Sequence, residues 1–156
     1  MRKDKFAEKS FFTAAIMLAA AILFFTASCT KTKGEASDTV EIGEKMFIAQ
    51  INDIYLNADD YFGKKIKLEG VFKKSTGENP YYFVIRYGPG CCGNDGLVGF
   101  EVAWDKEKAQ PYPADDSWVE AKGVLKSYEE QGYQLSYIAL SSLNVLTKRG
   151  MENVTQ

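Results

Sequence analysis

The spacing of apolar residues changes from helical to alternating along the chain. Between residues 43 and 60 they recur at three- and four-residue intervals, which predicts an amphipathic helix. From residue 64 onward apolar and polar residues alternate, as in half-buried strands. The alternation predicts five strands, over residues 64–73, 81–87, 97–104, 118–127 and 133–146. The last of these is long enough to bend, near Ser141 and Ser142.

Glycine and proline mark the breaks between these strands. Residues 88–96 contain four glycines and a proline, which predicts a loop. Gly70 and Gly123 interrupt strand patterns, and the strands of small barrels need glycine where they bend sharply. We therefore predict a mainly β fold, a small five-stranded OB-like barrel with an N-terminal helix, over residues 43–148, followed by a frayed tail at 149–156. A small β-sandwich is the alternative.

The N-terminus has the organisation of an export signal. Residues 1–10 are net basic, residues 11–25 are almost wholly apolar, and small residues precede Cys29. This order resembles the signal of a bacterial lipoprotein, in which the cysteine is lipidated and becomes the mature N-terminus, although Thr26 stands where such signals usually have leucine. We predict a lipoprotein signal peptide over residues 1–28 and lipidation at Cys29.

An uncleaved membrane helix is the alternative interpretation, because residues 11–28 approach the minimum length that spans a bilayer. Residues 29–42 are polar and short of large apolar side chains, which predicts a flexible tether. Both interpretations place the domain outside the cytoplasm. The lipoprotein interpretation adds a membrane lipid anchor, at the cell membrane or the outer membrane.

Charge and composition exclude several classes of function. Residues 1–28 carry four basic and two acidic side chains, whereas the whole chain has a net charge of −2, so the domain itself is acidic. An acidic domain without a basic stripe is not expected to bind nucleic acid. The sequence contains no histidine, which excludes Ser-His-Asp and Cys-His catalysis and every histidine-based metal site.

Three cysteines are present, and lipidation accounts for Cys29. Cys91 and Cys92 fall inside the predicted loop, where glycine lets the chain curl so that neighbouring side chains converge. Asp95 follows shortly after them. Two thiolates and a carboxylate suit a soft or borderline ion, which predicts a zinc or copper site at Cys91, Cys92 and Asp95. A fourth ligand would come from solvent, a partner protein or residues 115–116.

Two other roles for the cysteine pair stay open. A vicinal disulfide suits an exported protein, but adjacent Cα atoms lie about 3.8 Å apart, closer than the ~4.4 Å that a disulfide normally needs, so the bond would be strained and easily reduced. Cysteine is also often an inert, buried side chain. Arg86 lies just before the loop and either attracts an anion, lowers the pKa of a cysteine, or is an ordinary exposed strand arginine.

Acidic pairs and aromatic residues give weaker candidates. Asp59–Asp60 and Asp115–Asp116 are cation ligands or, more often, caps and turns. Trp104, Tyr112 and Trp118 either line a ligand face or belong to the core. We place two of the three in the core, because strand aromatics supply much of the burial in a small domain. The sequence has no phosphate-binding loop and no dinucleotide motif.

Residues 60–146 resemble the conserved C-terminal domain of a bacterial family described as permease subunits of the YcgQ type. The resemblance lies in YFGKKIKLEG at residues 61–70, FVIR at 83–86, the pair Cys91–Cys92 with Asp95, and WVEAKG at 118–123. It implies an OB-like domain outside the membrane, beside a partner membrane permease. Members of that family carry several transmembrane helices before the domain, whereas this chain has one signal or anchor, which favours a lipid-tethered accessory module.

These observations predict a non-enzymatic surface module that binds a metal ion or small ligand through the segment from Cys91 to Asp95 and serves a membrane permease. The alternative is a thiol-based redox or metal-resistance protein with Cys91 or Cys92 as nucleophile. Thiol oxidoreductases normally carry C-x-x-C at a helix N-terminus, which lowers the thiol pKa, whereas these cysteines are adjacent and lie between strands. A structural envelope protein without a site is the third possibility.

Overall fold

The computed structural model describes residues 39–91, 93–105, 107 and 109–155, with residue 94 described by its backbone. The predicted signal peptide, the lipidation site Cys29 and most of the predicted tether lie outside these residues. Over the residues that the structure describes, two helices and six strands follow one another as β1 Thr39–Ile42, α1 Phe47–Leu56, α2 Ala58–Tyr61, β2 Lys65–Lys74, β3 Tyr82–Gly90, β4 Gly93–Trp104, β5 Trp118–Glu130 and β6 Tyr133–Val145. No helix within the described ranges is long and apolar enough to cross a membrane.

All six strands belong to one sheet, with the order β1-β2-β3-β4-β6-β5. Strand β2 also pairs with β5, so β2 to β6 form a ring of hydrogen-bonded neighbours. The β1–β2 and β4–β6 pairs are parallel, and the other pairs are antiparallel. The predicted mainly β fold, with five principal strands and a helix before them, is confirmed. The described strands do not divide into the two packed sheets of the sandwich alternative.

The ring is filled by the alternating residues of its strands. In β2 the side chains of Ile66 and Leu68 are buried, while the lysines between and beside them are exposed or half-buried. Helix α1 adds Phe47, Ile51 and Ile54 to the same hydrophobic cluster. Burial of each such side chain is worth about 1.5–3 kcal/mol. A helix of this length is marginal in isolation, so its stability comes mainly from packing against the sheet.

The predicted helix over residues 43–60 is shorter and divided. It begins at Phe47, because Met46 before it has a positive φ of 62°, and it is interrupted at Asn57, whose φ of −118° leaves the helical region. The predicted bend in the last strand is confirmed as an irregularity in the β5–β6 register. Lys122 pairs with Ser142 but Gly123 pairs with Leu140, so Ser141 is the extra residue.

Gly123 is required at this irregularity. A Cβ at position 123 would lie 2.2 Å from the carbonyl oxygen of Ala139 on the neighbouring strand, closer than any real contact. A side chain would therefore push β5 and β6 apart where the ring curves. The interruption of the strand pattern by glycine is explained by this close backbone approach.

The prediction of a flexible tether is wrong for its last four residues. Thr39–Ile42 form strand β1, and Ile42 is 3% exposed. The reason lies in β2, whose second half pairs with β3 from Val71 to Lys74, whereas its first half, Lys65 to Leu68, would leave backbone groups without a partner on that edge. Strand β1 supplies the missing hydrogen bonds.

The prediction of a frayed C-terminal tail is also wrong. The amide of Tyr87 donates to the carbonyl of Glu152 at 2.8 Å, and the amide of Val154 donates to the carbonyl of Tyr87 at 2.8 Å. Val154 is 1% exposed and belongs to the main hydrophobic cluster. Apart from the exposed Met151, Val154 is the apolar side chain of this tail, and its burial together with the two hydrogen bonds to Tyr87 fixes the segment against β3.

Candidate functional site

The segment predicted as a loop at residues 88–96 is the end of a β-hairpin. Strands β3 and β4 stay paired through Gly88 with Gly96 and Gly90 with Gly93, which leaves Cys91 at the turn. The prediction of a loop is wrong because glycine has no side chain, so a glycine-rich strand shows no alternation. Cys92 itself lies outside the described residues.

Two of the three predicted metal ligands can be placed, and they lie together. Cys91 and Asp95 are both exposed at the hairpin tip, with the Cys91 Sγ 3.8 Å from the Asp95 Oδ2. The carboxylate of Asp95 folds across the hairpin over Gly90, where an added Cβ would lie 1.6 Å from Asp95 Oδ1. Glycine at position 90 therefore makes room for the carboxylate beside the thiol.

The described residues contain no group of three or more Cys, Asp or Glu side chains arranged to hold a metal ion. The acidic pairs have structural partners instead. Asp115 Oδ1 accepts the amide of Lys74 at 2.9 Å, and Asp116 pairs with the ammonium of Lys73 at 2.6 Å, so both fix the connection before β5. Asp59 and Asp60 are exposed acids in the first turn of α2, where negative charge is favoured.

Arg86 is buried, so the expectation of an exposed strand arginine is wrong. Its side chain is 1% exposed, and burial lowers the pKa of its guanidinium against the opposing effects of Glu44 and Glu69. A buried group this well surrounded has a structural role. Trp118 is 2% exposed and packs over Arg86, which confirms it as a core residue.

Trp104 and Tyr112 are half-buried against the main hydrophobic cluster. The amide of Trp104 donates to the hydroxyl of Tyr112 at 3.2 Å, and the Tyr112 ring stacks on Tyr82 with centroids 3.7 Å apart. These contacts fix the connection between β4 and β5. Trp104 and Tyr112 therefore pack against the core, which is one of the two roles that the sequence left open for them.

The structure adds a cleft that sequence analysis missed. It has a volume of about 470 Å³ and lies between α1, β3, β4 and the β5–β6 hairpin. Phe83 and Ile85 line it, and they alternate with the core residue Val84, so the cleft lies on the sheet face opposite the main cluster. Volumes of this size are typical of ligand sites.

Two tyrosine–glutamate pairs dominate the polar lining of this cleft. The Tyr128 hydroxyl donates to Glu101 Oε2 at 2.7 Å, and the Tyr81 hydroxyl donates to Glu130 Oε1 at 2.6 Å. At the α1 side, the Tyr55 hydroxyl donates to the carbonyl of Gly99 at 2.8 Å. In each pair the tyrosine and the glutamate lie on different segments of the chain that the ring brings together, and for this reason their sequence positions gave no signal.

The electrostatics of the cleft follow from burial and from its acidic groups. Burial, with a smaller contribution from Glu130, raises the pKa of Glu101, and the hydrogen bond from Tyr128 opposes that rise. Burial and Glu101 raise the pKa of Tyr55 to about 12. Burial, then the Glu101 carboxylate, also raise the pKa of Tyr128. The tyrosines therefore stay protonated at neutral pH and keep donating to the carboxylates.

No curated protein matches the chain at significant similarity. A family model does match: the DUF1980 C-terminal domain, over residues 25–152, which is most of the chain. The match agrees with the resemblance to YcgQ-type proteins that the sequence segments indicated. The chain therefore belongs to the DUF1980 C-terminal domain family.

Proposed function

We propose that this chain is a non-enzymatic binding module, held outside the cytoplasm by a lipid on Cys29, which captures a soft metal ion at the tip of the β3–β4 hairpin and serves a membrane permease. The observation that carries the proposal is the meeting of the Cys91 thiol and the Asp95 carboxylate at an exposed turn. Cys92 is the third ligand. The permease partner is supported by the YcgQ-type resemblance.

The spacing of the two described donors suits one ion. With a Zn–S distance of about 2.3 Å and a Zn–O distance of about 2.0 Å, donors on a tetrahedral zinc ion lie about 3.5 Å apart. The observed separation of 3.8 Å between Cys91 Sγ and Asp95 Oδ2 needs a shift of only a few tenths of an ångström. The exposed position leaves room for a fourth ligand from a partner.

A thiol redox protein is the second candidate. Reactive cysteines are usually activated by a helix N-terminus or a neighbouring cation. Cys91 lies at a turn between two strands, and the carboxylate of Asp95 contacts its thiol from the other strand of the hairpin. A bound cation would be stabilised by both the thiolate and the carboxylate. The environment therefore favours metal capture over redox chemistry.

Calorimetric titration tests the metal site. The full chain, purified in detergent and reduced, is titrated with zinc chloride at pH 6 and pH 8. We expect about one equivalent to bind, more tightly at pH 8, because the ion must displace thiol protons whose ordinary pKa is ~8.5. The double variant Cys91→Ser, Cys92→Ser should lose this binding. Stoichiometric binding that survives in the double variant would refute the site.

Two further variants distinguish geometry from charge. Gly90→Ala changes no ligand, but its Cβ would occupy the space of the Asp95 carboxylate and should weaken zinc binding. Asp105→Asn removes an exposed acid that pairs with Lys126, and should leave zinc binding unchanged. Equal losses in the two variants would indicate non-specific attraction to an acidic surface.

The lipid anchor is tested separately, because Cys29 lies outside the described residues. Expression of the full chain in a bacterial host, with membrane fractionation and intact mass, should give a lipidated mature protein that begins at Cys29. Cys29→Ser should accumulate as unlipidated precursor. An unmodified Cys29 in the wild-type protein would refute the lipoprotein interpretation and favour the uncleaved membrane helix.

A further inference from the structure

The cleft with the two tyrosine–glutamate pairs is independent of the hairpin tip. Its lining includes apolar side chains that are open to solvent: Leu97 is 66% exposed and Leu135 is 37% exposed. These side chains lie beside the acidic groups of the two pairs, so the cleft is amphipathic. A ligand that covers it would need both polar and apolar groups.

The polar groups of the cleft are arranged to accept hydrogen bonds. Each tyrosine hydroxyl of the two pairs uses its proton on a carboxylate, and Tyr55 uses its proton on the carbonyl of Gly99. The remaining capacity of Glu101 and Glu130 is acceptor-only, since ionised carboxylates have no proton to donate. A ligand must therefore bring donors to this site.

The charge in the cleft is negative and mostly uncompensated within it. Lys73 is the cation that lines it among the described residues, and its ammonium lies 2.6 Å from Asp116, which is not part of the cleft lining. Adjoining depressions share lining residues with the cleft and extend it toward Asp59 and Asp60 at one end and toward Asp105 at the other. Acidic groups thus lie along its whole length.

We propose that this cleft binds a basic, amphipathic segment of a partner protein. Lysine or arginine side chains of the segment pair with Glu101 and Glu130, and apolar side chains of the segment cover Leu97 and Leu135. Charge complementarity selects this occupant, because an acidic apolar groove repels nucleic acid and anionic membrane surfaces and attracts donor-rich cations. The two tyrosines hold the carboxylates in position before the partner arrives, which lowers the entropic cost of binding.

Fluorescence anisotropy measures this binding with a defined probe. A short labelled peptide of alternating lysine and leucine is titrated with the full chain in detergent. We expect saturable binding that weakens as salt rises, because the exposed part of the interaction is screened. The matched peptide of alternating glutamate and leucine should not bind. Equal binding of the two peptides would overturn the proposal, since it would show adhesion to apolar surface alone.

Site variants locate the binding. The double variant Glu101→Gln, Glu130→Gln keeps oxygen acceptors for both tyrosines and removes both charges, so we expect the Kd for the basic peptide to rise about tenfold or more. Glu129→Gln removes one negative charge between Tyr128 and Glu130 but on the opposite face of β5, and should change the Kd by less than about twofold. Equal effects in the two variants would overturn the proposal.

Three further measurements test this assignment. Leu97→Ser alters an exposed residue of the cleft lining and should also weaken peptide binding, which separates a real cleft contact from a folding defect in the double variant. A neutral cello-oligosaccharide is titrated in parallel, because aromatic clefts also bind sugars. Saturable sugar binding without peptide binding would overturn the proposal. The variant Cys91→Ser, Cys92→Ser should bind the peptide normally, so failure of the metal site and failure of the cleft are distinguishable.

Discussion

Arg86 and Cys91 lie five residues apart on the same hairpin and have opposite surroundings. Arg86 Nε donates to the carbonyl of Glu69 at 2.9 Å, its Nη1 donates to the carbonyl of Met151 at 3.0 Å, and its guanidinium carbon lies 4.6 Å from the centre of the Phe47 ring. Cys91 is exposed at the turn, where its Sγ lies 3.8 Å from the Asp95 Oδ2.

The difference indicates that the base of the β3–β4 hairpin contributes to the stability of the fold, whereas its exposed tip is accessible to a ligand. At its base, Arg86 joins β2, α1 and the C-terminal segment, and it also lies 3.8 Å from the carboxylate of Glu44. Two carbonyls accept hydrogen bonds from the guanidinium, and the rings of Phe47 and Trp118 lie against it, which offsets the cost of burying the cation. At the tip, the strands are rich in glycine, and Cys91 and Asp95 are exposed, so replacing either of these two side chains removes no core contact.

Replacing Arg86 should have the largest effect on stability. Arg86→Met keeps an apolar stem but leaves the carbonyls of Glu69 and Met151 without their donor, and each unsatisfied buried group costs about 1–3 kcal/mol. We expect a loss of about 3 kcal/mol in the free energy of unfolding. Urea denaturation followed by the fluorescence of the buried Trp118 measures it.

Arg86→Lys is the matched control, because it keeps the charge and loses the planar fork that reaches two carbonyls at once. It should fall between the wild type and Arg86→Met. A stability of Arg86→Met equal to the wild type would show that the base of the hairpin does not depend on these hydrogen bonds.

A substitution in the C-terminal segment should give the next largest loss of unfolding free energy. Val154→Ala removes two methyl groups from a site that is 1% exposed, and we expect a loss of about 1.5 kcal/mol. Val145→Ala makes the same change at a residue that is 61% exposed and should stay within about 0.5 kcal/mol of the wild type. Equal unfolding midpoints for the two variants would mean that the tail is not docked in solution.

The sequence predicted the strands because their alternation is local, and it failed where the decisive partner is distant. Ile66 and Leu68 could be placed from their spacing. The burial of Arg86 could not, because it depends on the carbonyls of Glu69 and Met151, which are 17 and 65 residues away. A strand arginine with no visible partner is read as exposed, and the fold supplies the partner.

The same distinction between local and distant partners applies to the two candidate sites. The neighbourhood of Cys91 and Asp95 was predictable because the two residues are four positions apart, although the strand pairing around them was not. The cleft was not predictable, because Glu101 comes from β4 and Glu130 from the end of β5. Only closure of the ring, through pairing of β4 with β6 and of β6 with β5, makes them neighbours.

Glu101 lies on the same hairpin and has an intermediate degree of burial. Replacing it should have a small, pH-dependent effect on the free energy of unfolding. It is faced by Tyr128 and Glu130 from β5, Tyr55 from α1, and two further tyrosines, at positions 81 and 112. Because its pKa is raised in the folded state, the stability contributed by the protonated carboxyl is fully present below its unfolded pKa and is lost as pH rises through the folded value.

Glu101→Gln should remove this loss. Relative to the wild type, the variant should gain about 0.5 kcal/mol of unfolding free energy between pH 4 and pH 8, a small value because the carboxylate is half-exposed. Parallel urea titrations across that pH range measure the difference. A gain toward acid pH instead would have the wrong sign and would mean that the ionised form is the one stabilised by the fold.

The smallest effect on stability is expected at the hairpin tip, where the effect on binding is expected to be largest. Cys91→Ser with Cys92→Ser removes no buried apolar area at Cys91, since that residue is exposed. Even if the two cysteines are joined by a disulfide, cross-linking adjacent residues closes almost no loop, so it removes little entropy from the unfolded chain. The unfolding free energy of the double variant, with or without reductant, should therefore stay within about 0.5 kcal/mol of the wild type.

The same double variant should lose zinc binding, as measured by calorimetry. Loss of both stability and zinc binding would show that the cysteines contribute to the core, as Arg86 does, and would contradict the comparison. Loss of zinc binding alone would locate the function of the hairpin at its tip.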